Sequence, residues 1–191
     1  MLDGLKQRRT YKVIGDTANP SPASPVTIEQ LDELMTIAGN APVHYACDRI
    51  HLGELTSPVP WRCYKLDGVS CRQLMNDLIT SGDATKVPNM LAAADYLLQV
   101  TWLPDAGTIV DPKPEKDQPS FVGTLRNMEH IAAASAFIQS MLLAAQTEGF
   151  KTYWSSGGPL RSPETFKKIG IPDTELLLGS IFLFPPRRFS W

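Results

Sequence analysis

The sequence predicts a mixed fold of helices and strands, and three features of its hydrophobic pattern indicate it. Two segments carry apolar side chains at helical spacing behind a capping box, at 27–39 and 70–82. One Ala-rich segment, from about Asn127 to Glu148, is apolar on nearly every face and predicts a long helix that is buried all round. Short alternating or uniformly apolar runs predict strands, at 61–67, 96–103, 150–154 and 176–184.

The two helices in the first half of the chain have identifiable ends. Thr27 with Gln30 forms the capping box that opens the first helix, and Gly39 ends it. Ser70 with Gln73 opens the second helix in the same way.

The second half of the chain contains a loop, the long helix and a short helix. The polar stretch 104–120 carries four prolines and no periodicity, so we expect a mobile surface loop there. Gly149 ends the long helix, and Ser162 with Pro163 opens a short helix that Gly170 ends.

Length and composition predict one domain, residues 1–191. A chain of 191 residues with 43% hydrophobic residues is long enough to bury a core. A net charge of −2 disfavours binding to a nucleic-acid backbone. Three cysteines do not make a disulfide framework, and the N-terminus lacks the apolar core of a signal peptide, so we expect a cytoplasmic protein.

The long helix also bears on assembly and on membranes. Its most apolar stretch, Ile131 to Ala145, is shorter than the roughly 20 residues of a bilayer span, so we expect no transmembrane helix. Full burial in so small a domain suggests that a second subunit covers part of the helix, where small residues at 132–136 permit close approach. The alternative is that its own chain alone covers it.

A basic cluster near the N-terminus, Arg8-Arg9-Thr10-Tyr11-Lys12, is a candidate anion site. Guanidinium groups bind phosphate through paired hydrogen bonds, and a threonine hydroxyl adds another. A second basic pair, Arg187 and Arg188, lies near the other end of the chain. Taken alone, both clusters are equally well explained as solvated tails.

A second candidate centres on His44, which follows the first helix. His44, Cys47 and His51 have a spacing that suits zinc, but no fourth ligand lies nearby in the sequence. Cys47 with His44 lacks the third group that orients a nucleophilic pair. A histidine that is only hydrogen-bonded is the simpler interpretation, and we expect no metal site.

A third candidate is the segment 153–158, Tyr-Trp-Ser-Ser-Gly-Gly, after a predicted strand. Its hydroxyls and glycines would let backbone amides approach a flat or anionic ligand, although a simple turn explains the segment equally well. Dinucleotide-binding, P-loop, hydrolase-elbow and zincin motifs do not occur in the sequence, so those chemistries lack support.

The order of these features resembles the nitroreductase-like family of FMN-dependent oxidoreductases, especially its short members. Arg8-Arg9-Thr10 resembles the family's Arg-Arg-Ser, the segment 38–44 its helix end and Ala-Pro turn, and 60–62 its Gln-Pro-Trp strand start. The best match is the stretch 132–186, and the resemblance covers about 2–16, 27–45, 60–80 and 129–188. It implies an α+β three-layer sandwich, a mainly antiparallel sheet flanked by helices, with the long central helix at a dimer interface.

The resemblance also implies roles for individual residues. Arg8, Arg9 and Thr10 would hold the FMN phosphate and ribityl chain, and Lys12 would approach the N1/O2 edge of the ring. Asn40 and His44 fall where the family contacts the flavin across the dimer interface. The other implied contacts line the ring or close on the phosphate: Trp154, Ser155, Ser156 and Gly157, then Arg187 and Arg188. No obligatory catalytic side chain is implied.

Two departures from the family pattern concern the segment after His44 and the end of the chain. Ala46 stands where the family commonly has Asn, and residues 46–59 are interpreted as a loop insertion. We expect the chain to lack the long C-terminal arm of many members.

The function implied by the resemblance is that of an FMN-dependent NAD(P)H oxidoreductase. NADH or NADPH would donate hydride to flavin N5, and an electron-poor acceptor such as a nitroaromatic, quinone or enone would then receive it by a ping-pong mechanism. A homodimer with flavin sites at the subunit interface is the expected assembly. The alternatives are a flavin-binding protein without turnover and a protein without flavin whose basic ends are merely solvated.

Overall fold

The computed structural model of the protein describes residues 5–6, 8–22, 28–53, 57–111 and 120–185. Within these residues the helices are α1 (Ile28–Ala38), α2 (Gly68–Thr80), α3 (Val87–Ala93), α4 (Leu125–Thr147) and α5 (Pro163–Ile169). The strands are β1 (Trp61–Asp67), β2 (Tyr96–Trp102), β3 (Ile109–Asp111), β4 (Ser120–Phe121), β5 (Lys151–Ser155) and β6 (Leu176–Phe184). Short 3₁₀ helices occupy Arg49–His51 and Gly158–Arg161. Thr27, the predicted cap of the first helix, lies outside the described residues.

A four-stranded antiparallel sheet, in the order β1-β2-β6-β5, lies in the middle of the molecule. The two central strands are the most apolar, and every residue of β2 is buried. β3 and β4 form a separate antiparallel pair. β1 and β5 are the edge strands of the main sheet.

The sheet separates two hydrophobic cores, because successive side chains of a strand point to opposite faces. Leu98 and Val100 of β2 pack with α1 and α4, whereas Leu97 of β2 and Phe182 of β6 pack with α2 and α3. The layers are therefore α1 with α4, the sheet, and α2 with α3. The structure confirms the predicted α+β three-layer sandwich with a mainly antiparallel sheet.

Helix α4 begins two residues earlier than the sequence predicted. The Thr124 side chain caps it by accepting a hydrogen bond of 3.1 Å from the Asn127 amide. With 23 residues, α4 is long and apolar enough to suit a bilayer span. The prediction of no transmembrane helix was based on a shorter stretch of 15 residues, Ile131 to Ala145. Ten residues of α4 are buried, eight of them in the core against the sheet and α1, as in the core helix of a globular domain.

One stripe of α4 is not covered by the described residues, which contradicts the alternative that its own chain alone covers the helix and leaves cover by a second subunit as a prediction. Leu125 and Met128 are 62% and 58% exposed, and the small Ala132 and the polar Gln139 continue the exposed stripe along the helix. Ser135, between them, is half-buried. The spacing of these five residues places them on one side of an α-helix.

The stretch 104–120, predicted as a mobile loop, is partly ordered. It contains β3 and the first residue of β4, and 112–119 lie outside the described residues. The buried Asn127 of α4 holds it: its Nδ2 donates to Thr108 Oγ1 (3.0 Å) and the Val122 carbonyl (2.9 Å), while its Oδ1 accepts from the Asp105 amide (2.9 Å). A buried side-chain amide can satisfy several backbone groups, a function that the loop sequence does not reveal.

The described part of the insertion at 46–59 is fastened to its surroundings. The Cys47 amide donates to the Pro58 carbonyl (2.8 Å), so the insertion closes on itself. Arg62 of β1 donates through Nη2 to the His51 carbonyl (3.0 Å), and the His51 ring lies 2.7 Å from the Pro104 carbonyl. Residues 54–56 lie outside the described part.

Candidate functional site

A cavity of about 260 Å³ lies where the N-terminal segment, α4 and β5 meet. Its lining consists of Arg8, Thr10, Gln139, Leu142, Thr152 and Trp154. Thr152 and Trp154 pair with Leu183 and Ile181 of β6, which belong to the core against α4. The cavity therefore lies on the α4 face of the sheet, at its β5 edge.

The N-terminal segment reaches this cavity by extending the sheet. Thr10 forms a single parallel bridge with Thr152, and the Tyr11 amide donates to the Thr152 carbonyl at 2.9 Å. β5 is an edge strand with unpaired backbone groups on its outer side, which accept this segment. Arg8 and Thr10, two residues apart in an extended chain, consequently line the same cavity.

Two other basic residues of the N-terminal cluster do not line the cavity. Arg9 donates through Nη1 to the carbonyl of Lys6 (2.7 Å) and to that of Arg8 (3.0 Å), so it stabilises its own segment. The Lys12 ammonium lies 5.5 Å from the centroid of the Tyr153 ring, which packs against the core on the α2 side. The structure thus separates Lys12 from Arg8 by the thickness of the sheet.

Trp154 forms one wall of the cavity, and Gly179 of β6 makes room for it. The indole packs directly on Gly179, where a Cβ atom would overlap Nε1 of the ring. The indole is 38% exposed, so part of its surface is open to a ligand.

The turn after Trp154 is shaped by one glycine. Gly157 has φ 112°, and a Cβ there would lie 2.7 Å from Leu177 Cδ2, so no other residue fits without strain. Its amide donates to Ser155 Oγ at 3.2 Å, and the Ser156 carbonyl accepts from Arg161 Nε at 2.5 Å. Both serines therefore help to hold the turn.

Asn40 lies near the same level of α4 but on another side of that helix. Its Nδ2 donates to the Ile37 carbonyl at 3.3 Å, which caps the end of α1. It lines a groove of about 490 Å³ between α1 and α4, together with Ser140 and Ala144. The spacing of Gln139 and Ser140 along α4 turns the groove and the cavity to different sides of the helix.

His44 lies toward the other end of α4. Its Nδ1 is 3.6 Å from Oε1 of Glu129, and its ring stacks on Tyr45 with centroids 4.5 Å apart. Glu129 and Gln139 are ten residues apart on α4, which corresponds to roughly 15 Å along a helix. The structure therefore does not bring His44 to the cavity of its own chain.

The predicted residues Arg187 and Arg188 lie outside the described residues. The chain is described as far as Pro185, which lines a different cavity with Lys12 and Lys151.

His44, Cys47 and His51 do not form a cluster. His44 pairs with Glu129, His51 approaches the Pro104 carbonyl, and Cys47 is buried. Among the residues that the structure describes, no group of three or more His, Cys, Asp or Glu side chains is placed to hold a metal ion.

A comparison with sequence models of protein families matches this chain to the Nitroreductase family over residues 21–183. This chain belongs to the nitroreductase family. The matched residues include the sheet, α4 and the Trp154–Gly157 segment, whereas Arg8 and Thr10 precede them. A search of curated proteins finds no relative that matches the sequence.

Solved structures show the same nitroreductase fold. A nitroreductase-like family protein from Bacillus cereus is 19% identical with a TM-score of 0.63, over 98% of this chain and 86% of that one. A nitroreductase from Bacteroides fragilis, solved with bound FMN, is 14% identical with a TM-score of 0.58, over 100% of this chain and 90% of that one. A nitroreductase family protein from Clostridium novyi is 14% identical with a TM-score of 0.62, over 98% of this chain and 85% of that one. These structures confirm the predicted fold, and the match to the family model confirms the family that the sequence resembles.

Three residues of this nitroreductase-family chain that shape the cavity were not found from the sequence. Thr152 lies two positions before Trp154 in a strand, so period-two alternation places both on one face and was the available signal. Gly179 interrupts an apolar strand, which indicates a close approach at that position. Gln139 gave no signal, because a polar residue on a long helix is ordinary.

A second polar cluster lies on the α2 side of the sheet and is not part of the cavity. The buried Glu175 accepts from Tyr64 Oη (2.9 Å) and Thr101 Oγ1 (2.5 Å). Burial raises the pKa of the Glu175 carboxyl, and the hydrogen bonds from Thr101 and Tyr64 oppose this effect. Burial likewise raises the pKa of the Cys63 thiol to about 12, so this thiol stays protonated and unreactive at neutral pH.

Proposed function

We propose that this chain is an FMN-dependent NAD(P)H oxidoreductase that acts as a homodimer. Hydride from NADH or NADPH passes through flavin N5 to an electron-poor acceptor such as a nitroaromatic, a quinone or an enone, in a ping-pong sequence. The observation that carries the proposal is the cavity lined by Arg8, Thr10 and Trp154, in a chain of the nitroreductase family. The FMN bound in the Bacteroides fragilis nitroreductase supports the choice of cofactor.

The groups in the cavity suit a phosphorylated flavin. The Arg8 guanidinium has no ion pair or hydrogen bond with any described residue, so it is available to an anion. Thr10 supplies a hydroxyl beside it, and the exposed surface of Trp154 offers a flat apolar wall. A cation, hydroxyls and one flat face are the groups that phosphate, polyol and aromatic ring require.

The residues of this chain bind and orient rather than react. FMN, when bound, supplies the hydride chemistry. Arg8 and Thr10 hold its anionic end, while Ser155, Ser156 and Gly157 form the turn that borders the ring. Arg9 and Lys12 do not line the cavity, and Arg187 and Arg188 lie outside the described residues, so all four stay predictions as phosphate or ring contacts.

The stripe of α4 that one chain leaves uncovered supports the homodimer. The uncovered stripe of α4, from Leu125 to Gln139, is apolar or small over most of its length. Two copies that pack this stripe antiparallel about a two-fold axis near Ser135 bring Glu129 of one copy to the level of residue 141 of the other. The partner subunit's His44 then lies beside the cavity of the first chain, as the predicted contacts across the interface require.

A spectrum of the purified protein is the first test. We expect flavin absorbance, or uptake of added FMN by the apoprotein, and anaerobic bleaching of that flavin by NADH or NADPH. A flavin that stays oxidised with both nucleotides contradicts hydride transfer and favours the alternative of flavin binding without turnover. A protein that neither contains nor takes up FMN contradicts the whole proposal.

Substitution of the basic pair tests the position of the phosphate. Arg8→Ala with Arg9→Ala should weaken FMN binding about 10- to 100-fold, because a hydrogen bond to a charged group is lost. Arg9→Ala alone then assigns the loss: an unchanged affinity places the contact at Arg8, and a weakened one places a contact at Arg9, whose guanidinium bonds to its own segment in the structure. Equal affinity of the double variant and the wild type in a fluorescence titration would remove Arg8 from the site.

A further inference from the structure

One buried hydroxyl beside the cavity has no partner. Thr152 is 1% exposed, and its Oγ1 makes no hydrogen bond with any residue that the structure describes. Buried hydroxyl groups in folded proteins are nearly always hydrogen-bonded, because an unpaired one destabilises the fold. An exception next to a candidate binding site indicates a group that a ligand completes.

The other polar side chains of this cavity are unpartnered too. Arg8, Thr10 and Gln139 line it with Thr152, and none of their side chains has a hydrogen bond or ion pair among the described residues. One guanidinium, two hydroxyls and one carboxamide thus surround a space of about 260 Å³. Only Leu142 and Trp154 contribute apolar side chains to the lining.

This set of groups selects one part of the flavin. A ring system needs flat apolar walls, whereas a chain of hydroxyls that ends in a phosphate needs alternating donors, acceptors and a cation. We propose that Thr152 and Gln139 are binding residues for the ribityl phosphate chain of the flavin and that this chain occupies the cavity. The ring then lies outside it, against the exposed surface of Trp154. The inference rests on the proposed function, since it assumes that FMN is the ligand.

A ligand role for Thr152 predicts opposite effects on stability and on binding. Replacement by the isosteric valine removes an unpaired buried hydroxyl, so the apoprotein should become more stable. The same replacement removes a hydrogen bond to the ligand, so FMN should bind less tightly. A threonine that only supports the fold would not produce this combination.

The test compares Thr152→Val with Thr101→Val as a matched control. Thr101 is also a fully buried strand threonine, but its hydroxyl donates to Glu175 on the other side of the sheet. For Thr152→Val we expect apoprotein melting about 2–4 °C higher and FMN binding about tenfold weaker. For Thr101→Val we expect lower melting and unchanged FMN affinity. Gln139→Leu should weaken FMN binding about fivefold.

Binding measurements with three flavins identify the part of FMN that the Thr152 hydroxyl contacts. Lumiflavin, which lacks the ribityl phosphate chain, should bind Thr152→Val and wild type equally. If Thr152→Val binds both riboflavin and FMN more weakly than the wild type does, the Thr152 hydroxyl bonds to a ribityl oxygen. If it binds only FMN more weakly, the hydroxyl bonds to the phosphate. Unchanged FMN affinity of Thr152→Val, or a lowered melting temperature of its apoprotein, overturns the inference. If the wild type still binds FMN, the proposed function stands. A wild type that binds no FMN overturns the proposed function, and the inference with it.

Discussion

The missing side chain of Gly179 determines where Trp154 can lie. Neighbouring strands β5 and β6 bring the two residues together on the α4 face, and the indole occupies the space that a Cβ atom would take. The wall of the candidate flavin site thus depends on a residue that does not touch the cavity itself. Gly179 is a positioning residue.

Gly179→Ala should displace the indole and weaken FMN binding. The added methyl group overlaps Nε1 of Trp154 and lies 3.0 Å from the Ser155 carbonyl, so we expect a loss of about 1–3 kcal/mol in stability. Near-ultraviolet circular dichroism reports the indole, and an FMN titration reports the site. Gly123→Ala is the control, because a Cβ at Gly123 meets nothing within 4 Å. An unchanged indole signal in Gly179→Ala would contradict this role.

Glu175 makes the stability of the fold depend on pH. Burial raises the pKa of its carboxyl in the folded state above the unfolded value of 4.5, despite the hydrogen bonds from Thr101 and Tyr64 and the charges of Arg62 and His51. The folded state therefore binds more protons than the unfolded state just above pH 4.5, and stability falls as the pH rises through the folded pKa.

Glu175→Gln should abolish this contribution, because the amide carries no charge at any pH. We expect the free energy of unfolding of the wild type to fall between pH 5 and pH 8 relative to that of the variant. Urea unfolding of both proteins at both pH values gives this double difference, in which the other titrating groups cancel. Parallel pH profiles would show that the Glu175 carboxyl is not perturbed.

At the scale of an element, Asn127 orders part of the segment 104–120, which the sequence predicts as a loop. Its three hydrogen bonds tie the segment 105–108 and the end of the β3–β4 pair to the first turn of α4. The sequence of 104–120 is polar and rich in proline, so a prediction from local pattern alone finds no order there. The order comes from a residue seven positions after that stretch ends.

Asn127→Ala should loosen β3 and β4 together. It removes three hydrogen bonds and leaves the Asp105 amide without a partner, so we expect a loss of about 3 kcal/mol in unfolding free energy. Hydrogen exchange should accelerate at 108–111 and 120–122 but not in β2 or β6. Asn76→Ala, at an exposed position of α2, is the control and should change neither quantity.

Helix α3 illustrates the other kind of element that the sequence does not reveal. Its seven residues are nearly all buried, so they show no alternation of polar and apolar sides. Arg72 of α2 donates to the Ala94 carbonyl (2.8 Å) and the Leu91 carbonyl at its end, and to the Ser21 carbonyl (2.9 Å). These contacts are made by residues distant in the chain, which a local pattern does not contain.

At the scale of the whole molecule, a single chain keeps two predicted parts of the site apart. The cavity lies at one end of the uncovered stripe of α4 and His44 at the other. The proposed two-fold axis joins them, so assembly and flavin binding should be lost together.

Ala132→Arg tests that coupling. An arginine in the middle of the stripe buries an unpaired guanidinium at the proposed interface, so we expect the dimer dissociation constant to rise at least about 100-fold. Analytical ultracentrifugation measures the assembly and a titration measures the loss of FMN affinity. Asn76→Arg adds the same charge on the opposite layer and should leave both unchanged. A monomeric wild type, or a monomeric variant that binds FMN normally, contradicts the shared site.

The sequence predicted the elements that depend on local pattern. It did not predict the features that depend on contacts between residues distant in the chain. The last residues of α1 and α4 follow from Gly39 and Gly149, both ends of α5 from Ser162 and Gly170, and β1, β2 and β6 from runs of apolar residues. Arg8 and Trp154 were predicted for the same site, and they meet in one cavity. The separation of Lys12 from Arg8 was not predictable, because it arises from the parallel bridge of Thr10 to Thr152, a pairing of residues 142 positions apart. The position of Gln139 in the cavity was not predictable either, because it depends on α4 meeting the N-terminal segment and β5, which are distant in the chain.

The polar cluster around Glu175 also protects the chain against folding incorrectly. Tyr64 lies opposite Gln99 and Arg62 opposite Thr101 in the pairing of β1 with β2. A slip of one residue would turn every side chain of β1 to the other face of the sheet. Cys63 would then face Glu175, while the Tyr64 hydroxyl and the Arg62 guanidinium would enter the apolar core against α4. Such a misaligned strand takes the Tyr64 donor away from the buried Glu175 carboxyl and buries the Arg62 cation among apolar side chains, so the cluster selects the native alignment of an edge strand.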